Sequence, residues 1–347
     1  SDSGYTIPAA AFPGSGPGDN AYIDATVSNG FPGGFGFNII VEMGGSLQLP
    51  TGSWTIYDGY SLQINYGASV YCNADLVLGS GGVGNAYVSV DGQLYIYGSI
   101  SGNGPSSYII NNGDGYIGVI GGAYISLGGS TSIGFANYGS IDLLGTITTD
   151  IFNTYAGIVT IYNGGTLTIN YNASNDSYSY NNILINGGGT LNVYGIFHNI
   201  ATLYVHGNLN ASSNNFDNQS TIEIYTGGTL YNTGYLNNYN TITTDAGGTI
   251  TNDGYFYNFS AFYNNGAFVN NVYYNNSAGW TGWLCSNATN NGSYINDSGY
   301  TDCGTYLSQF CSGYDLYYTY ADGFNSTYSS LYESNSPTCG YVPPATN

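Results

Sequence analysis

The sequence predicts an all-β fold: a single-stranded, right-handed parallel β-helix with an extended N-terminal arm and a disulfide-stapled, β-rich C-terminal cap. Three observations carry the expectation. A Gly-x-apolar signature returns about every twenty residues, apolar residues stand six apart inside each repeat, and no useful stretch keeps the 3.6-residue period of a helix. The signature is read at Gly165-Thr-Leu, Gly189-Thr-Leu, Gly207-Asn-Leu, Gly228-Thr-Leu, Gly248-Thr-Ile and Gly266-Ala-Phe, at intervals of 24, 18, 21, 20 and 18 residues. Weaker copies stand at Gly45-Ser-Leu, Gly67-Ala-Ser-Val, Gly92-Gln-Leu, Gly122-Ala-Tyr and Gly139-Ser-Ile. Small changes of length around a fixed period are what loops at the corners of a solenoid produce.

The finer spacing sets the cross-section. Leu191, Phe197, Leu203 and Leu209 are each six apart, and Leu230, Leu236, Ile242, Ile250, Phe256, Phe262 and Phe268 follow at 6, 6, 8, 6, 6 and 6. Three anchors per rung describe a three-sided coil whose sides are strands of about four or five residues, with alternate side chains inward. Gly and Asn are read as corner residues, because both tolerate φ > 0. The coil is assigned to residues 38–279, roughly twelve rungs and on the order of 55–60 Å long at about 4.8 Å per rung. Left-handed coils favour turns near 18 residues, which Leu191 to Leu209 fits; the longer mean and the variable corners favour the right-handed form. A stack of β-sandwiches would not give this register.

One segment carries a resemblance. Gly-Gly-Thr-Leu-Tyr-Asn-Thr-Gly-Tyr-Leu-Asn-Asn, Gly227 to Asn238, resembles the rungs of β-helical surface proteins of the filamentous-haemagglutinin and autotransporter-passenger type. The likeness covers residues 160–275 well and 40–160 loosely. It implies a secreted adhesin, passenger or surface fibre, and brings no catalytic residue with it.

Residues 1–37 read as the arm. Pro8, Pro13, Pro17 and Pro32 and several glycines leave no core, while Tyr5 to Ile7 and Tyr22 to Val27 have strand character. Tyr5, Ile7, Tyr22, Ile23 and Val27 are the candidate self-assembly residues, either folding back over the first rung or adding to a neighbouring copy. Residues 280–347 read as the cap, in which Cys285, Cys303, Cys311 and Cys339 form two disulfides. Zinc is the rival for these four, with no CxxC pair and no nearby His to support it. Cys72 stands apart and reads as a buried free thiol rather than an intermolecular bridge.

Charge excludes several function classes. The chain has no Lys or Arg against 20 Asp and Glu, a net charge of −20. Without cations it cannot clamp phosphate, present a basic patch to nucleic acid, or bind an anionic membrane surface. No run of 18 apolar residues is present, so no membrane insertion is expected. Trypsin-like proteases have no cleavage site, which suits an extracellular, cell-surface location. The copies repel one another unless acid, divalent cations or glycans mask the carboxylates. No leader is visible before Ser1, which reads as the residue after a removed one. The Asn-x-Ser/Thr sequon occurs at Asn172, Asn175, Asn210, Asn218, Asn258, Asn275, Asn287, Asn291, Asn296 and Asn325, all beyond the first half of the coil.

Catalytic chemistry is scarce, and no catalytic residue, metal ligand or cofactor is assigned. Lyases and hydrolases of acidic sugars lean on Arg or Lys, which are absent. Glu42, Glu223 and Glu333 are far apart, although two carboxylates from adjacent rungs would serve a glycosidase. Asp58, Asp91, Asp114 and Asp253 each precede Gly and read as turns. His198 and His206, eight residues apart, belong to different sides or corners of one rung and read as surface histidines rather than a metal pair. Asn111 to Gly115 resembles a calcium-binding glycine turn without the nonapeptide repeat. The 39 Tyr beside inward aliphatics should point outward and stack in rows, as a carbohydrate-binding face or a protomer interface.

The expected function is therefore a non-enzymatic extracellular structural protein: a glycosylated subunit of a surface filament, fibre or sheath that assembles with itself head to tail. A monomeric adhesin binding host or cell-surface carbohydrate is the alternative. A virus-type fibre with glycan-hydrolase activity is the third reading.

Overall fold

The structure, a computed structural model, describes residues 20–28, 36–79, 84–102, 107–128, 134–170, 177–276, 281–282, 288–290, 293–296 and 316–317. These residues are all strand and turn, and they wind a parallel β-solenoid of about 11 turns. The chain divides into two compact units, 1–184 and 185–347. Each unit is built from three parallel sheets, one for each side of the coil.

In the first unit the inward columns are mostly aliphatic. Ile39, Leu62, Val88, Ile109, Phe135 and Phe152 follow one another across the first sheet. Leu47, Val70, Leu94, Ile117, Ile141 and Val159 do so on the second. Trp54, Leu76, Ile100, Ile125, Ile147 and Leu167 line the third. All of them are buried. Strand sides of four residues place two side chains inward, so each turn contributes about six to the core, enough to seal a narrow coil.

The second unit repeats the plan with more aromatic filling. Its first sheet stacks Phe197, Phe216, Leu236, Phe256 and Tyr274. The second stacks Leu203, Ile222, Ile242 and Phe262, and the third Leu191, Leu209, Leu230, Ile250 and Phe268. Phe256, Phe262 and Phe268 each come from a different side of the coil. Their ring centroids lie 5.3–6.2 Å apart, and Tyr274 closes on all three. The six-residue spacing is the distance along the chain from one side to the next.

The Gly-Gly corner has a physical cause. Gly228 N–H donates to Tyr225 O at 2.8 Å, closing a four-residue turn whose third residue, Gly227, has φ 82°. That conformation strains most residues with a Cβ. A Cβ on Gly228 would strike the Val205 carbonyl of the adjacent turn. The first glycine answers a local need and the second a contact between turns.

One reading is corrected and two are made more specific. Asn is not only a corner residue: Asn65, Asn112 and Asn186 do stand between strands, but Asn199, Asn218, Asn238 and Asn258 sit at strand ends, fully buried and facing the core. Tyr22, Ile23 and Val27 lie on strands that cover the next turn of the same chain, the first of the two alternatives read for residues 1–37. The strands Asn20–Ile23 and Thr26–Ser28 pair in parallel with Asn38–Val41 and Ser46–Leu49 of the same chain, so coil pairing precedes residue 38. At the other end Thr281–Gly282, Ala288–Asn290 and Ser293–Asn296 add to the second unit's sheets, carrying its parallel pairing past 279. Tyr5, Ile7, Cys285, Cys303, Cys311 and Cys339 lie outside the described residues.

Cys72 is fully buried and unbridged, its thiol directed at Ala74 O at 3.6 Å. Burial pushes its pKa up to about 11. In the native chain it is expected to resist thiol reagents at neutral pH and to react stoichiometrically once denaturant unfolds the coil. Equal rates in the two states would show that the position is open.

Candidate functional site: outward tyrosines and buried asparagine ladders

Outward positions in a parallel in-register coil fall in columns about 4.8 Å apart, close to the distance at which rings stack. The tyrosines use this. Tyr71 and Tyr95 of the first unit stack at 5.1 Å and 10° between planes, and Tyr87 and Tyr108 at 4.9 Å and 4°. Tyr138, Tyr155 and Tyr180 form a further stack at 4.7 and 5.6 Å. In the second unit Tyr235 lies on Tyr255 at 4.7 Å and 7°, and Tyr239 on Phe259 at 5.0 Å and 7°. A ring stacked on both sides has no free face, so only the end of a ladder can offer one to a ligand.

One column bends. Gly118 occupies the outward position between Tyr95 and Asp142, and Tyr116 leans across the gap. Its ring lies 3.2 Å from where a Cβ on Gly118 would stand. Tyr116 tilts 53° to Tyr95 and its hydroxyl donates to Asp142 Oδ2 at 3.0 Å. Burial, then the bond to Asp142, raises the Tyr116 pKa.

Two more phenols donate to carboxylates: Tyr225 to Glu223, and Tyr231 to Asp253 Oδ2 at 2.6 Å. The hydrogen bond to Glu223, ahead of burial, pushes Tyr225 up to about 12, and the bond to Asp253 raises Tyr231. These folded pKa values lie above that of a phenol in the unfolded chain, about 10. The contribution of Tyr225 to stability is therefore complete below pH about 10 and disappears as pH rises through about 12. Unfolding midpoints are expected to fall over that window. Phenolate absorbance should show a late-titrating group that Glu223→Gln moves back toward the ordinary value.

The inward asparagines form ladders that the sequence reading assigned to corners. Asn199 Nδ2 donates to Asn218 Oδ1 at 2.8 Å, Asn218 to Asn238 at 2.7 Å, and Asn238 to Asn258 at 2.7 Å. The same amides also reach backbone carbonyls of Thr221, Thr241 and Ala261 at 3.1, 2.9 and 2.8 Å. On the third side Asn232, Asn252 and Asn270 repeat the arrangement at 2.6 Å per step. Asn111, in the segment read as a possible calcium turn, belongs to a ladder too, donating to Asn137 Oδ1 at 2.7 Å inside the core. The signal was present: an inward apolar residue followed two positions later by Asn, twenty residues apart, at Phe216/Asn218, Leu236/Asn238 and Phe256/Asn258.

This placement sorts the sequons. Asn218 and Asn258 are fully buried and bound into the first-side ladder, so the folded coil has no room for a glycan on them; they leave the expected set. Asn210 and Asn275 are partly exposed. Asn210 bonds Asn192 Oδ1 at 2.7 Å on the outward face. Asn172, Asn175, Asn287, Asn291 and Asn325 are outside the described residues, and for Asn296 only the strand is described.

His198 stands on a strand face rather than a corner, beside Asp217 of the next turn, with Nδ1 3.0 Å from Oδ2. Asp217 also accepts from Asn215 and Asn237 at 3.0 and 2.9 Å, a polar knot on the outward face. His206 stacks on Tyr225 at 4.2 Å. Asp58, Asp91, Asp114 and Asp253 are all in turns, as their following glycines imply. Among the described residues no group of three or more His, Cys, Asp and Glu is placed to hold a metal ion, and no helix is long and apolar enough to cross a membrane. No protein-family model matches the chain, and no curated protein matches it either.

Proposed function

We propose that the protein is an extracellular structural subunit that assembles with itself, head to tail, into a filament, fibre or sheath at a cell surface, with glycans on its outward sequons. The observation that carries this reading is the uniform register of the coil. In the second unit, turn after turn repeats the same parallel ladders of backbone and buried asparagine, with tyrosines stacked outside. The end of such a coil presents unpaired strand edges of the pattern that its interior satisfies. Another copy placed there extends every ladder, and repetition of that contact gives an open, heterologous polymer. The strand Asn20–Ile23, with exposed Tyr22, ends one such sheet among the described residues.

The net charge of −20 opposes stacking at neutral pH, so assembly should strengthen as acid neutralises the carboxylates. Electron microscopy of the full chain over a pH series tests the proposal. Long polymers that grow on acidification support it; dispersed rods at every pH and concentration overturn it. Mass spectrometry of native material should find glycan on Asn210 and none on Asn218 or Asn258.

A further inference from the structure

The geometry points to a binding subsite for a neutral sugar ring in a groove of the first unit, at the open end of the Tyr71–Tyr95 stack. The groove holds about 360 Å³, at the small end of the range for ligand sites, and is lined by Thr26, Ser46, Gln48, Tyr71, Asn73 and Tyr97. This goes beyond self-assembly and does not depend on it.

The location follows from the stacking. Tyr71 is covered by Tyr95 on one side, at 5.1 Å and 10° between planes. On its other side the in-register neighbour is Gln48, an exposed, flexible amide in place of a ring. Tyr71 is thus the terminal ring of the stack, and the face turned away from Tyr95 borders the groove. Its orientation is fixed by the ring beneath it, so an apolar ligand face meets a surface already held in place. Tyr97, about half exposed, stands at the corner beside Asn73 and supplies a second aromatic wall.

The polar lining selects the ligand. Two amides, Gln48 and Asn73, and two hydroxyls, Ser46 and Thr26, offer donors and acceptors without a formal charge. An aromatic wall with neutral bifunctional groups around it matches a pyranose, which has an apolar C–H face and a rim of hydroxyls that both donate and accept. Sugars with carboxylate or sulfate find no cation anywhere in this chain and are repelled by its net charge of −20. An aliphatic ligand would make no use of this polar rim. Because the groove runs along the outside of the coil, a ring within a polysaccharide can enter as readily as a free one.

Titration calorimetry of the full chain with maltohexaose, cellohexaose, mannohexaose and hexagalacturonate tests the assignment. At least one neutral hexaose is expected to bind saturably and hexagalacturonate not to bind. Tyr71→Ala should weaken that binding at least tenfold, equivalent to about 1.4 kcal/mol. Gln48→Ala removes an exposed side chain with little risk to the fold and should weaken it about threefold or more. Tyr124→Ala, at an exposed tyrosine outside the groove, should leave it unchanged. No saturable binding of any neutral hexaose, tighter binding of the anionic one, or wild-type affinity in both Tyr71→Ala and Gln48→Ala would overturn the assignment.

Discussion

Replacing Asn238 by leucine is expected to lower the unfolding free energy of the second unit by about 3–5 kcal/mol, although leucine is close in size and more apolar. The Asn238 amide is fully buried. It accepts from Asn218 and donates to Asn258 Oδ1 and Ala261 O at 2.7 and 2.8 Å. Leucine makes none of these bonds. It removes the buried donor to Asn258 Oδ1 and to Ala261 O, and it takes from Asn218 one of its two acceptors. Each loss costs about 1–3 kcal/mol. The transfer energy gained by the leucine side chain, about 2 kcal/mol, does not offset them. Asn240→Ala, at an exposed position two residues further along the chain, should change stability by about 0.5 kcal/mol. Urea unfolding followed by circular dichroism measures both, and equal effects at 238 and 240 would dismiss the ladder as a source of stability.

The second large effect is expected at the aromatic level of the core. Phe262→Ala should cost about 3–5 kcal/mol, since it removes a buried ring without room for its neighbours to close the gap. Phe256, Phe268 and Tyr274 lie 5.4, 5.3 and 6.1 Å from it, on other strands held by their own backbone ladders. A coil is stabilised by contacts between adjacent turns, so the damage should be local. Hydrogen exchange should accelerate for amides near residues 236–274 and much less near 191–209. A uniform acceleration across the chain would show that the turns unfold as one cooperative block.

The two predictions rest on features of different legibility. The aromatic level was readable from the chain: Phe256, Phe262 and Phe268 fall on the six-residue spacing, and a column of apolar residues can only be a core. The asparagine ladder was not read that way. Asparagine between apolar anchors has a ready local explanation as a corner residue, and nothing local tells an amide facing out at a turn from one facing in at a strand end. The difference lies in a partner about twenty residues away.

The outward chemistry divides in the same manner. That tyrosines flanking inward aliphatics face outward follows from strand alternation. Which rings are buried in a stack, and which one ends it, depends on register between turns. Tyr71 ends its stack because Gln48 and not an aromatic is its neighbour in the preceding turn. Tyr116 reaches Asp142 because Gly118 leaves the intervening position empty.

The chain by itself determined the coil: its period, its three anchors per turn, its glycine corners and the lack of any cation to hold an anionic partner. Those are properties of short segments, set by the two-residue alternation of a strand and the φ freedom of glycine. The tertiary structure decided which polar side chains are sealed inside, which sequons are closed to glycans, and where a ring face stays open. Those depend on hydrogen bonds and stacking between residues 17–26 positions apart, whose partners exist only once one turn has settled on the next.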